Sequence, residues 1–129
     1  MDTAGHGNVM VKLYDVAKGG SAVMFDEQVA LVDSSGRVAV DLKSTDWTLA
    51  AGHRLAVEIG TVQDGMWVDT PSGEGIEVTD ARLRLSVDDP ADDKATEGER
   101  TPYLDTYLKA NTKQLALRPG TFTMPSARG

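Results

Sequence analysis

Apolar and polar residues alternate with a period of two along several short segments of the chain. In the first segment, Val9, Val11 and Leu13 fall on one side of an extended chain, while Lys12 and Tyr14 fall on the other. The same alternation recurs at Val38, Val40 and Leu42 and at Leu83, Leu85 and Val87. This pattern is typical of antiparallel sheet that is buried on one face and solvated on the other.

The pattern predicts an all-β chain of short strands joined by turns. The predicted strands cover residues 9–16, 22–32, 37–42, 54–60, 66–69, 76–79, 81–87, 114–118 and 121–124. Residues 18–21 and 33–36 supply the Gly, Ser and Asp that close hairpins, so the first three strands are expected to form a meander. Many short strands with Gly and Pro turns favour a sandwich or jelly roll.

Two segments depart from this regular pattern. In the second strand, Glu27 falls on the same face as Val29 and Leu31, and a bulge or break near Asp26 would resolve that conflict. No convincing amphipathic helix is present, and the best candidate, residues 103–109, fits one short helical turn or an irregular loop equally well.

Length and composition indicate one self-sufficient domain. The chain has 129 residues and no cysteine, which excludes disulfides, thiol nucleophiles and thiolate metal sites. Residues 1–8 are expected to be a flexible N-terminal linker or an added start, and residues 9–125 a single β-sandwich domain. Within that domain, the charged stretch 88–100 has the composition of a mobile acidic loop.

Charge and hydropathy argue against several classes of partner. Thirteen basic and twenty acidic side chains give a net charge of −7, which repels nucleic acid and anionic membrane surfaces. The apolar runs are strand-sized, far short of a membrane-spanning helix. The N-terminus lacks the basic and apolar regions of a signal peptide, and the composition leaves the compartment open.

Two segments carry a recognisable signature. Residues 12–16 read Lys-Leu-Tyr-Asp-Val, a glycine-bearing hairpin follows, and residues 51–55 read Ala-Gly-His-Arg-Leu. In this order, over approximately residues 8–60, they resemble the C-terminal β-domain of bacterial Xaa-Pro dipeptidyl-peptidases and cocaine-esterase-like serine hydrolases. The residues that carry the resemblance are Leu13, Tyr14, Asp15, Val16, Gly52, His53, Arg54 and Leu55.

The resemblance implies a non-catalytic jelly roll, similar to galactose-binding domains, that packs against an α/β-hydrolase domain of the same polypeptide. That neighbouring domain would hold the Ser-Asp-His triad and would be shaped and stabilised by this one. The chain itself agrees, since neither Ser21 nor Ser72 lies in a Gly-x-Ser-x-Gly elbow. We therefore expect no catalytic residue and no cofactor in this chain. After Ile59 the family pattern fades, so peptidase and esterase parents both stay open.

His53 and Asp15 each allow a functional and a structural interpretation. His53 has the titration range of a general base, but alternation puts it on one face with Leu55 and Val57, at the edge of the core. We therefore expect it to bond backbone at the turn. Asp15 precedes a hairpin and is expected to accept turn N–H groups, the alternative being a salt bridge between domains.

An acidic cluster and a group of aromatic residues complete the candidate sites. Oxygen ligands for calcium could come from Asp88, Asp89, Asp92 and Asp93, although the run lacks the glycine spacing of an EF-hand and contains a Pro. Stacking on a partner or a sugar could come from Trp47, Trp67, Tyr103 and Tyr107. We favour interdomain packing or capping for these aromatics over glycan binding.

Two other functions compete with the accessory domain. One is a free-standing carbohydrate-binding module of galactose-binding type, and the other is a small adhesion or assembly domain whose edge strand pairs with a partner. An accessory domain is expected to expose an apolar patch toward its neighbour. The candidates for that patch are Met10, Tyr14, Met24 and Trp67. The oligomeric state is not indicated.

Overall fold

The computed structural model describes residues 1–33, 35–62, 73, 75–92, 94, 97–99 and 102–115. The strands within them are β1 (Asp2–Ala4), β2 (Gly7–Val16), β3 (Ser21–Val32), β4 (Gly36–Arg37), β5 (Arg54–Gly60), β6 (Glu77–Thr79) and β7 (Thr112–Gln114). One 3-10 turn (Pro90–Asp92) and one α-helix, α1 (Pro102–Asn111), complete the described elements. All strand pairs are antiparallel, in a four-stranded sheet ordered β5-β2-β3-β7 and a three-stranded sheet ordered β4-β1-β6. The all-β prediction is confirmed in its coarser form: the described chain is mostly β with one α-helix, and the two sheets are compatible with a β-sandwich.

The hairpin of β2 and β3 is the longest regular part of the described fold. At its turn, the Ala17 N–H donates to the Ser21 carbonyl at 2.8 Å and the Gly20 N–H donates to the Ala17 carbonyl at 2.9 Å. The register shifts between Leu13 and Tyr14, which pair with Asp26 and Met24, so one extra residue bulges from β3. The predicted bulge near Asp26 is confirmed.

Strand β2 lies inside the sheet and is buried on both faces. One face, which we name the Asp15 face, carries buried Val9, Val11 and Leu13; the other, named the Tyr14 face, carries buried Met10, Tyr14 and Val16. The expectation that one face of this strand is solvated is therefore wrong. The cause is that segment 38–53 lies over the Asp15 face, while Lys113 and α1 lie over the Tyr14 face.

The predicted exposed apolar patch is wrong where the structure describes it. Met10 and Tyr14 are buried and Met24 is half-buried, packed against the cluster of Tyr14, Val16 and Ala22. Trp67 lies outside the described residues.

The first residues of the chain form part of a sheet. Residues 2–4, expected within a flexible segment, form β1, which pairs with both β4 and β6. Gly5 and His6 join β1 to β2 and so connect the two sheets. A short peptide can become ordered in this way because neighbouring strands satisfy its backbone groups on both sides.

Two predicted strands differ from the structure. The strand over 37–42 is limited to Gly36–Arg37 and joins β1 in the other sheet, so the first three strands are not a meander. Residues 81–87 alternate correctly but form no strand, since Leu85 and Val87 are exposed and no described strand lies beside them. Alternation needs a bonding partner to become a strand.

The helix α1 is longer than either reading of residues 103–109. It runs over ten residues from Pro102, and a proline is well tolerated at a helix start because its missing N–H would have no intrahelical partner there. The Tyr107 hydroxyl donates to the Met24 carbonyl at 2.6 Å, which ties the helix to β3.

The remaining predicted strands are only partly described. Predicted strand 76–79 corresponds to β6, and predicted strand 114–118 overlaps β7 only at Gln114. Residues 66–69, 116–118 and 121–124 lie outside the described residues.

Candidate functional site

Asp15 lies near the end of β2, where its buried carboxylate joins two other parts of the chain. Its Oδ1 lies 2.7 Å from the Nδ1 of His53, and its Oδ2 accepts the indole N–H of Trp47 at 3.0 Å. The register explains the first contact, because Asp15 pairs with Leu55 and His53 precedes that residue by two, on the same face. A carboxylate is therefore held against the sheet with both oxygens engaged.

A second buried carboxylate, Asp26, acts on the same covering segment. Its Oδ2 accepts the backbone N–H of Lys43 at 3.0 Å, while its Oδ1 is buried and has no hydrogen-bond partner among the described residues. The bulge brings Phe25 next to it, and the Phe25 ring stacks on Trp47 with centroids 5.5 Å apart and planes inclined by 13°. Asp15 and Asp26 together hold the irregular segment 38–53 over the Asp15 face.

The Asp15–His53 pair has the form of a carboxylate–imidazole pair, in which a carboxylate orients the ring. A hydrolase would also need a nucleophile within hydrogen-bond reach of the imidazole. In the described part of the chain, no Ser or Thr hydroxyl bonds to His53. In the described residues, the Asp15–His53 contact joins β2 to the start of β5.

These contacts correct two predicted partners. Instead of bonding backbone at the turn, the His53 ring meets a carboxylate, while its backbone N–H donates to the Ala50 carbonyl at 3.0 Å. Asp15 accepts from two side chains, and not from the N–H groups of the hairpin turn. The structural reason is that the Asp15 side chain lies on the face of the sheet where His53 and Trp47 reach it.

The Tyr14 face carries a small cavity beneath the end of α1. Its volume is about 210 Å³, and it is lined by Lys12, Tyr14, Met24, Ala110, Asn111, Thr112 and Lys113. The Lys113 ammonium lies 4.5 Å above the Tyr14 ring and 2.8 Å from Oε2 of Glu58. Partial desolvation lowers the pKa of Lys113, but the bonds to Glu58 and Tyr14 outweigh it, so the pKa is raised overall.

The three aromatic candidates that the structure describes do not form one site. Trp47 uses its only N–H on Asp15 and one ring face on Phe25, and Tyr107 uses its hydroxyl on β3. Tyr103 is 74% exposed on α1, and Trp67 lies outside the described residues. No shared stacking surface is formed by the three aromatics that the structure describes.

The acidic candidates lie around the 3-10 turn. The Asp89 carboxylate accepts the N–H of Ala91 at 2.9 Å, and the N–H of Asp92 donates to the Asp89 carbonyl at 2.8 Å. Asp88 is exposed, and Asp93 lies outside the described residues. Among the residues that are described, no three or more His, Asp or Glu side chains are grouped closely enough to hold a metal ion.

Sequence reasoning missed Asp26, Lys43 and the Glu58–Lys113 pair. The bulge was the only signal for Asp26, because an extra residue in a strand redirects the side chains beside it. The sequence alone offers no signal for Lys113, which comes from a distant segment.

Comparisons with known proteins give no relative. No protein-family model matches the chain, and neither a curated protein nor a solved structure matches it. Over the described residues, none of the helices has the length and apolar character needed to span a bilayer.

Proposed function

We propose that this chain is an accessory, non-catalytic C-terminal β-sandwich domain of a larger serine hydrolase of the Xaa-Pro dipeptidyl-peptidase or cocaine-esterase type. In this proposal the domain adopts a jelly roll similar to galactose-binding domains. It packs against the α/β-hydrolase domain of the same polypeptide and shapes it. The reactive groups belong to that neighbour.

The observation that carries the proposal is the contact between the two signature segments. Asp15 from the first segment and His53 from the second meet at 2.7 Å across adjacent strands. In this proposal the contact is the reason that the two motifs occur together in one chain. The pair supports an accessory role because it joins two strands and, in the described part of the chain, no Ser or Thr hydroxyl is bonded to the imidazole.

The carbohydrate-binding alternative finds less support. A sugar-stacking tryptophan needs an open ring face, and its N–H is usually free to bond a hydroxyl. In Trp47, one face of the ring is stacked on Phe25, and the N–H is already donated to Asp15. Titration of the purified chain with an oligosaccharide panel, followed by tryptophan fluorescence, tests this alternative directly.

The decisive experiment for the leading proposal is to determine the complete reading frame. We expect upstream sequence with a Gly-x-Ser-x-Gly elbow in a strand–turn–helix context. A native frame that starts at Met1 would contradict the proposal.

A biochemical experiment gives an independent test. The purified chain is assayed with p-nitrophenyl acetate and with an Xaa-Pro p-nitroanilide, alongside a His53→Ala variant. We expect no turnover from either protein. Turnover by the original chain that the variant loses would overturn the accessory role and would make His53 a catalytic residue.

A further inference from the structure

The outer edge of β5 has no strand beside it in the described part of the fold. β5 pairs with β2 along all seven residues of Arg54–Gly60, and no described strand lies on its other side. The outer strands β4, β6 and β7 have only two or three residues each. The edge of β3 beyond Val23 also has no described strand beside it, but it begins with the bulge at Phe25, whereas β5 is regular throughout. A long regular edge presents unpaired N–H and C=O groups, which are a template for another strand.

The side chains of β5 do little to block such pairing. The strand contains no proline, and its pairing with β2 shows no bulge. Val57 is 42% exposed on the Asp15 face, and the Glu58 side chain is 44% exposed on the opposite face. Charged residues normally protect an edge strand, and here the charges are Arg54 and Glu58, of opposite sign.

The order of these residues makes the strand complementary to itself. In an antiparallel pair of two copies centred on Ala56, residues at equal distances on either side of Ala56 face each other. Arg54 of each copy therefore faces Glu58 of the other copy. The same register places Leu55 opposite Val57 on the other face, again twice. Directly opposed charges of unlike sign and directly opposed apolar side chains both stabilise a sheet.

Neighbouring registers lack this match. Centring the pair on Val57 places Ala56 opposite Glu58 and leaves the arginine opposite Gly60. Centring it on Glu58 brings two carboxylates together, which is destabilising. Glu58 already accepts from Lys113 through Oε2. Its other carboxylate oxygen can receive the guanidinium of a second copy.

We infer that two copies of this chain associate through β5, in an antiparallel pair centred on Ala56 that continues the four-stranded sheet into an eight-stranded one. The contact is isologous, because the same strand serves both copies. A single strand pair buries less than the ~1,200 Å² of a standard interface, so the dimer is weak and forms at high protein concentration. This inference does not depend on the proposed function.

Paired charge reversals test the register by sedimentation velocity at protein concentrations from the micromolar to the millimolar range in low salt. Arg54→Glu and Glu58→Arg each replace two attractions by two repulsions. Each alone is expected to weaken dimerisation about tenfold. Mixing the two variants restores attraction at both positions. A heterodimer is therefore expected at concentrations at which neither variant dimerises alone. Arg84→Glu, at an exposed position outside the strands, is the control with the same change in charge as Arg54→Glu.

Several results would overturn the inference. They are a chain that stays monomeric up to millimolar concentration, a dimer that neither reversal weakens, and a mixture that gains nothing over its components. Because Glu58→Arg also breaks the bond to Lys113, circular dichroism first establishes that the variant is folded. If it is not, Glu58→Gln takes its place, and mixing it with Arg54→Glu is then expected to give less dimer than the original chain.

Discussion

Asp15 is buried at a position where strand alternation would favour an apolar residue, between Leu13 and the turn. Its burial is tolerated because two donors, the ring of His53 and the indole of Trp47, replace the water that the carboxylate loses. The same side chain therefore acts as a joint among β2, the start of β5 and the irregular segment that covers the sheet.

Replacing Asp15 by alanine is expected to lower the free energy of unfolding by about 2–4 kcal/mol, because two half-buried donors lose their acceptor. Urea denaturation measures the change, and the emission of Trp47 is expected to shift to the red as its segment loosens. Asp41→Ala, at an exposed position, is the matched control and is expected to stay within about 0.5 kcal/mol of the original chain. Equal losses in both variants would contradict the role of Asp15 as a joint.

Tyr107 provides a pH-dependent contribution to stability. Burial raises the pKa of its phenol, and the nearby carboxylates of Glu27 and Asp26 raise it further. Since the folded pKa lies above the unfolded value of 10.0, the contribution is complete below that pH and is lost as pH rises toward the folded value.

We therefore expect the difference in free energy of unfolding between the original chain and Tyr107→Phe to be constant near neutral pH. Above about pH 10, the original chain is expected to lose stability relative to the variant. Denaturation at a series of alkaline pH values measures it. Both proteins keep Lys113, whose raised pKa cancels in the difference. Tyr103→Phe, on the exposed part of α1, is the control. A difference that stays constant across the alkaline range would contradict the contribution of Tyr107.

At the scale of elements, the sequence predicts best where the partner strand is near in the chain. The bounds of β5 match the prediction, and the β2–β3 hairpin and its bulge were expected, because alternation and a tight turn act locally. Residues 81–87 show the opposite case, in which the same alternation forms no strand. The helix α1 was hard to predict because none of its residues is buried, which leaves little periodicity to detect.

The turn before β5 depends on one glycine. Gly52 has a φ of +80°, and an added Cβ would lie 2.5 Å from Cε of Lys18. The lysine side chain can move, so the main cost comes from the positive φ. We expect Gly52→Ala to lower the free energy of unfolding by about 1–2 kcal/mol. Gly19→Ala, with open space and no positive φ, is the control, and an equal loss there would contradict this explanation.

At the scale of the whole molecule, the short connection Gly5–His6 joins the two sheets. Gly5 has a φ of +109°, and an added Cβ would lie 2.5 Å from the carbonyl oxygen of Gly75, a backbone atom that cannot rotate away. We expect Gly5→Ala to cost about 2–3 kcal/mol and to raise amide exchange in β1. Gly75→Ala, which meets nothing within 4 Å, is the control. Unchanged exchange in β1 would show that the connection tolerates the side chain.

The way in which the sheets associate was beyond sequence reasoning. The N-terminal residues show no alternation long enough to predict β1, whose partners β4 and β6 come from separate parts of the chain. The candidate site was half predictable: His53 and Asp15 were singled out by the resemblance, but their mutual bond depends on the register of β2 and β5.

The burial of β2 on both sides has a consequence for how this domain can change over evolutionary time. In a strand with one solvent-exposed face, every second residue can be substituted at little cost in stability. In β2, nearly every substitution between Val9 and Val16 alters the interior. We therefore expect drift to accumulate in the turns and outer strands first. The central strand would then be the last part of the domain by which distant descendants of one ancestor could still be matched.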